Sequence, residues 1–240
     1  ELKKKGKPRT SLGEVIEPTG NTKADVEKVI QPELRRNSEL AQAVKVVQTE
    51  AELPSYLQKP GTRGVTANGR IWLVADNIQP GEELGVFLHE AGAHIGFDKM
   101  LNILQRKQLA DVVRGWGRGN DLKGQVAKEA MSKGSNSDDE VIAYAVEGLV
   151  NRGVKPTTFS ADSNWLRRIF SVLRDALRRF GFTKDVTPQE LVDMAYGAAH
   201  IETIRTDIKA AINAETTLFG QGLGPRGGAA LQEIRDNYND

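Results

Sequence analysis

The sequence predicts an α+β fold, with a small sheet of about three strands packed beside one chemistry-bearing helix and a mainly helical C-terminal half. Three observations predict it. Asn68-Gly69 sits between two apolar arms, the strongest short signal for a hairpin. Ile71-Trp72-Leu73-Val74 is an unbroken apolar run, so it reads as a strand buried on both faces. From Pro80 onward, apolar residues recur at helical rather than alternating spacing.

Residues 1–37 read as a linker or basic extension. Lys3, Lys4, Lys5, Lys7 and Arg9 form a basic start, and Pro18-Thr19-Gly20-Asn21 is rich in turn formers. A helix over 23–30 is only weakly patterned. The main domain is expected over 38–200. Ala43 to Val47 predicts a strand and Glu50 to Leu57 a short helix. Val65-Thr66 and Arg70 to Ala75 are the two hairpin arms.

Pro80-Gly81-Glu82-Glu83 predicts a helix start, with Pro in the first turn and acids at the positive end. Leu84, Phe87, Leu88, Ala91 and Ile95 continue that helix. Further helices are expected over about 100–115, from Leu122 to Met131, and from Ser137 to Val150, separated by glycines at 115, 117, 119 and 134. Asn164 to Phe180 is amphipathic, with Trp165, Ile169, Val172, Leu173, Ala176, Leu177 and Phe180 on one stripe. Thr187-Pro188-Gln189-Glu190 caps a helix reaching His200. The tail over 201–240 starts helical, then loosens where Gly220, Gly222, Gly224, Pro225, Gly227 and Gly228 crowd together.

Composition narrows the function classes. Apolar residues at 39% and charged residues at 27% are ordinary for a globular protein. No apolar run is long enough for a membrane span. A net charge of +1 argues against strong whole-molecule attraction to nucleic acid. With no Cys, a metal would have to be held by His, Asp or Glu. The start at Glu1, without an initiator Met or signal pattern, predicts a piece of something longer.

Two of the three His lie in His89-Glu90-Ala91-Gly92-Ala93-His94. Zinc bound by nitrogen and oxygen wants imidazoles and a carboxylate, with one position left for water. The usual helical solution spaces two His four apart, about 40° around the axis. Here the spacing is five, about 140° on a regular α-helix. A one-residue π-bulge near Gly92 would return both imidazoles to one side. The alternative is two unrelated helix histidines pointing apart.

The H-E-x-x-x-H spacing is similar to the zinc helix of the dipeptidyl peptidase III family. A wider set resembles the zincin-like metallopeptidase domains of phage polyvalent proteins. It comprises the buried strand ending in Ala75-Asp76, the Pro80-Gly81-Glu82-Glu83 start, Leu88-His89-Glu90-Ala91-Gly92-Ala93-His94-Ile95-Gly96, and Glu140-Val141-Ile142-Ala143-Tyr144. The run from Trp165-Leu166-Arg167-Arg168 to Phe180-Gly181 and the Glu190-Leu191 helix extend the likeness over roughly residues 40–200.

The resemblance implies a zincin-like fold inside a very long phage protein, carried in the virion and delivered to the host cytoplasm. It implies zinc held by His89 and His94, with Glu90 as general base. The third ligand would be a Glu opening a later helix, and Glu140 fits best. Tyr144 and Glu147 share its helix face. Tyr144 could hydrogen-bond a tetrahedral intermediate, and Glu147 or Asp98 could orient a His from behind.

Plainer readings stand beside these. Ser137-Asp138-Asp139-Glu140 is also a capping-box pattern, so Glu140 is either cap or ligand. The plainer reading, an ordinary helix acid, is the favoured one for Glu147, and Asp98 reads equally as a solvated acid. His200 reads as a structural or surface histidine near a helix end, the alternative being that it completes a three-His site. Trp72 and Trp116 read as packing. Arg167, Arg168, Arg174, Arg178 and Arg179 make a basic face that is either solvated or a nucleic-acid contact.

The leading expectation is therefore a zinc-dependent peptidase acting on a polypeptide, either its own polyprotein or a host protein. A catalytically silent virion or ejection module and a nucleic-acid-binding module are the alternatives.

Overall fold

In the computed structural model, which describes residues 20–157 and 186–200, the described chain enters through a capped helix. Thr22 Oγ accepts from the Asp25 N–H, and the Asp25 carboxylate accepts from the Thr22 N–H. This capping box starts α1 (Lys23–Arg36). Val26 and Ile30 are fully buried, and Leu34, a further turn on, packs against the same core. Residues 23–36 therefore belong to the core rather than to a linker ending at 37. The helix also runs past residue 30, through Pro32, to Arg36. One thin apolar stripe gives a weak sequence pattern, and it becomes decisive only against the surface it covers, α3 and the sheet.

Asn37 caps α2 (Ser38–Ala43) by accepting from the Leu40 N–H, and the chain passes into β1 (Val44–Val47). Two 3-10 turns, Glu50–Glu52 and Ser55–Leu57, replace the single short helix expected over 50–57. Pro54 lies between them and has no N–H to continue a helical ladder.

The hairpin forms as its sequence predicts. β2 (Gly64–Ala67) and β3 (Arg70–Val74) are joined by Asn68 and Gly69, with φ of 52° and 71°. Positive φ at both central residues is what a tight type I′ turn requires. The sheet order is β1-β3-β2, with β1 parallel and β2 antiparallel to β3. The strand period of two sends Ile71 and Leu73 into the main core. Trp72 and Val74 enter a second cluster with Val47 and Leu53. β3 is thus buried on both faces. Gly64 and Thr66, opposite Leu73 and Ile71, share the main-core face, and β2 is an edge strand.

Pro80 does not enter the first helical turn. Pro80-Gly81 is a turn, with Gly81 at φ 94°, and α3 (Glu83–Leu88) starts after it. The buried Glu83 carboxylate accepts from the Gly81 N–H and the Asn21 amide, tying the chain entry to this corner. A π-helix, His89–Gly96, follows directly, then α4 (Phe97–Met100), α5 (Ile103–Trp116), α6 (Leu122–Gly134) and α7 (Asp138–Asn151). After an undescribed stretch comes α8 (Pro188–Ala199), capped by Thr187.

α7 is the central helix, packed against α3, the π-helix, α5, α6 and α8. Its Val141, Ile142, Ala145, Val146 and Leu149 are buried. Each large apolar side chain buried this way contributes about 1.5–3 kcal/mol over exposure. Trp72 and Trp116 are buried packing residues, as expected. Among the described residues, no helix is long and apolar enough to cross a membrane. The basic start, the amphipathic segment 164–180 with its arginine face, and the tail 201–240 lie outside the described residues.

Candidate metal centre

The winding of the helix at residue 89 decides the site. The Phe97 N–H donates to the Gly92 carbonyl, five residues back, and π winding runs through all 8 residues of His89–Gly96. The distortion is longer than the single-residue bulge expected from spacing. Gly92 and Gly96 press against α8, where a Cβ on Gly92 would fall 2.5 Å from the Ala195 carbonyl oxygen. A Cβ on Gly96 would meet the Ala198 carbonyl carbon at the same 2.5 Å. Two glycines thus let a second helix approach on the side away from the histidines.

The consequence is that His89 and His94 face each other. Their Nε2 atoms are 3.2 Å apart and their rings meet edge-on at 4.9 Å. Two nitrogens about 2.0–2.1 Å from a shared tetrahedral metal would sit about 3.3 Å apart. The Glu140 carboxylate completes the group, 3.7 Å from His89 Nε2 and 3.6 Å from His94 Nε2. One ligand atom from each residue lies within 4.8 Å of the others. Two imidazoles and one carboxylate form a donor set of the kind zinc takes when a position stays open. The group reaches solvent on one side: the Glu140 side chain is 39% accessible and that of His94 22%, whereas His89 is buried.

Glu140 stands at the start of α7, where the sequence pattern offered two roles. Half of the capping box forms, since Ser137 Oγ accepts from the Glu140 N–H at 3.3 Å. The other half does not. The Ser137 N–H donates to the Gly134 carbonyl, and the Glu140 carboxylate is turned toward the histidines. The cap is Ser137, and the Glu140 carboxylate belongs to the His cluster.

Glu90, buried beside His89, has Oε1 4.0 Å from His89 Nε2. It is held from the sheet side. Thr66 Oγ1 donates to Glu90 Oε2 at 2.7 Å, and Gly64 leaves room for the carboxylate, since a Cβ there would lie 2.7 Å from Glu90 Oε1. The edge strand β2 is therefore the wall that positions Glu90.

Behind His89 lies Glu147, two turns along α7 from Glu140 and buried. Its Oε2 is 3.2 Å from His89 Nδ1. That contact has ion-pair distance without full hydrogen-bond alignment, and buried Nδ1 has no other partner. The second Glu147 oxygen takes the Arg63 guanidinium at 2.6 Å. Burial pushes the Glu147 carboxyl up, but His89 and Arg63 together outweigh it and hold it below the ordinary glutamate range. Glu147 is thus a buried acid held between His89 and Arg63 and not a solvated helix residue.

Tyr144 stacks edge-on against His89, with ring centroids 4.7 Å apart. Burial, then the charges of Glu140 and Glu147, push its phenol above the usual range, so it stays protonated and able to donate at neutral pH.

Two other candidates fall elsewhere. Asp98 is exposed on α4 and pairs with Arg106 at 2.7 Å, and Arg106 also reaches Asp139 at 3.0 Å. It braces α4 against α5 and α7 and orients neither histidine, because the π-helix turns His94 toward Glu140. His200 ends α8 and is buried, with Nε2 3.2 Å from Glu33 of α1. Tyr196 donates to the same carboxylate at 2.6 Å. His200 is structural, as the sequence reading favours.

Sequence reasoning missed Arg63, Gly64 and Thr66. Alternation along β2 pairs Gly64 and Thr66 with the buried face of β3, but nothing in the sequence says that this face meets Glu90. Searches against family models, curated proteins and solved structures return no match for this chain.

Proposed function

We propose that this chain is a zinc-dependent metallopeptidase-like domain that hydrolyses peptide bonds, with His89, His94 and Glu140 as metal ligands and Glu90 as general base. The observation that carries the reading is the 3.2 Å approach of the two Nε2 atoms, with a carboxylate facing both and an acid buried alongside. A bound zinc ion would polarise a scissile carbonyl and lower the pKa of water toward neutrality.

The chain's own residues supply the remaining chemistry. Glu90 accepts the proton of the attacking water and returns it to the leaving amine. Thr66 and Gly64 fix its carboxylate so that this transfer needs no side-chain search. Tyr144, held protonated, donates a hydrogen bond to the oxygen that gains charge. Glu147 fixes the His89 ring from its Nδ1 side. The edge of β2, which pairs with no further strand among the described residues, lies next to Glu90 and suits an extended polypeptide aligned by main-chain pairing. The sequence likeness to phage polyvalent-protein domains supports a virion-delivered parent protein, with its own polyprotein or a host protein as substrate.

The test is metal analysis followed by a peptidase assay. The parent chain should retain about one zinc and cleave an unstructured protein substrate, while Glu90→Gln retains zinc and does not cleave. Zinc binding without cleavage by either would turn the reading to a silent module that keeps the site for stability. A parent chain that retains no zinc would end it.

A further inference from the structure

We propose that Arg63 is a positioning residue for the metal centre: it pins Glu147 against His89 Nδ1, so that His89 presents Nε2 to His94 and Glu140. The proposal rests on the metal-site reading above and goes beyond it, to how the ligand is oriented.

Arg63 immediately precedes the edge strand. Its carbonyl accepts from the Val74 N–H at 2.9 Å, which continues the ladder and anchors its backbone to the sheet. Its guanidinium reaches across to α7 and α3. One nitrogen lies 2.6 Å from Glu147 Oε1 and the other 3.4 Å from Glu82 Oε2. A planar fork spans two carboxylates in this way, whereas an ammonium acts as a single point.

The geometry makes Arg63 more than a stabilising pair. Glu147 is almost wholly buried, with side-chain exposure of 4%, and a lone buried carboxylate is costly. Arg63 occupies one carboxylate oxygen and leaves the other for His89. A carboxylate at Nδ1 favours the tautomer with the proton there, which frees the Nε2 lone pair. Along the same segment, Gly64 and Thr66 hold Glu90. One stretch of chain, residues 63–66, therefore sets the orientation of a metal ligand and of the general base together.

The experiment uses the full chain with Arg63→Met and Arg63→Lys. Two quantities are read: the ¹⁵N shifts of the His89 ring in metal-free protein, and zinc affinity by chelator competition. In the parent, the shifts should report a proton on Nδ1. Arg63→Met should move them toward mixed tautomers and weaken zinc binding roughly 10–100-fold. Arg63→Lys should lie between, because charge survives and the fork does not. A folded Arg63→Met with parent-like His89 shifts overturns the proposal, even if zinc weakens, since Arg63 would then act through charge alone. Parent-like affinity in a parent that binds zinc overturns it equally. Should Arg63→Met not fold, Arg63→Lys decides, and parent-like values in both readouts refute it. A parent chain that binds no zinc sinks the metal reading, and the His89 shifts then decide alone whether Arg63 orients the imidazole.

Discussion

Nε2 of His89 lies 3.2 Å from Nε2 of His94, although the two residues are five apart on one helix. A regular α-helix would turn them about 140° from each other. The π winding of His89–Gly96 removes that angle, and the glycine contacts with α8 accompany it. The site thus depends on a distorted stretch of helix that packs against a helix about a hundred residues further along the chain.

Zinc should raise the thermal stability of the parent with the logarithm of the free zinc concentration once that exceeds Kd. At a free concentration 100 times Kd, the gain is about 2.7 kcal/mol. His89→Ala and His94→Ala should each abolish the shift. A melt of either variant that still responds to zinc like the parent would exclude that residue as a ligand.

Gly92→Ala separates two opposed effects. In an exposed α-helix the change would stabilise by about 1 kcal/mol through propensity. Here the added methyl meets the Ala195 carbonyl at 2.5 Å, and overpacking of this kind costs about 1–3 kcal/mol. Urea unfolding should show net destabilisation, and zinc affinity should fall with it. A more stable variant with parent-like zinc affinity would contradict the packing account.

Ser137→Ala and Glu140→Gln should split along the two roles that the sequence left together. Loss of the cap should cost about 1 kcal/mol with zinc affinity retained. Glu140→Gln should weaken zinc binding and leave metal-free stability close to the parent, because its carboxylate caps nothing. The measurements are metal-free urea melts and zinc titrations of both variants, and a reversed pattern would return Glu140 to the cap.

Glu90→Gln should lower peptide hydrolysis by about 10²–10⁴-fold, the usual contribution of a positioned acid–base group. Zinc content should not change, since Glu90 is held by Thr66 and is not needed as a ligand. Turnover equal to the parent's would remove Glu90 from the mechanism.

Glu129 links stability to pH. Lys133 first, and Arg152 with it, hold its carboxyl below the ordinary value of 4.5. A depressed folded pKa means that its stabilisation is complete above the unfolded value and is lost as pH falls through the folded one. Glu129 is partly exposed, so the effect is small and screened by salt. Thermal melts between about pH 3 and pH 6 should show a shallower acid limb for Glu129→Gln than for the parent. Identical limbs would mean that the pairs of Glu129 with Lys133 and Arg152 contribute nothing to folding.

The sequence by itself determined most of the local elements and marked the candidate metal-binding histidines. Asn68-Gly69 dictated a two-residue hairpin because few other residues tolerate positive φ twice in succession. The apolar run of β3 dictated burial on both faces, and apolar periodicity or caps located α5, α6, α7 and α8. Two His and one Glu in six residues marked the metal candidate, and their five-residue spacing demanded a distorted helix.

Tertiary structure alone decided the rest. Whether Glu140 caps or coordinates depends on where its carboxylate points, and residues 89–94 contribute that answer from another helix. Asp98 and Glu147 looked alike as acids near a histidine, but packing sent one to Arg106 and the other to His89. α1 joined the core because its thin stripe found a surface to cover. Arg63 and Thr66 carried no local signal, since ion pairs and hydrogen bonds between distant segments leave no period in a sequence.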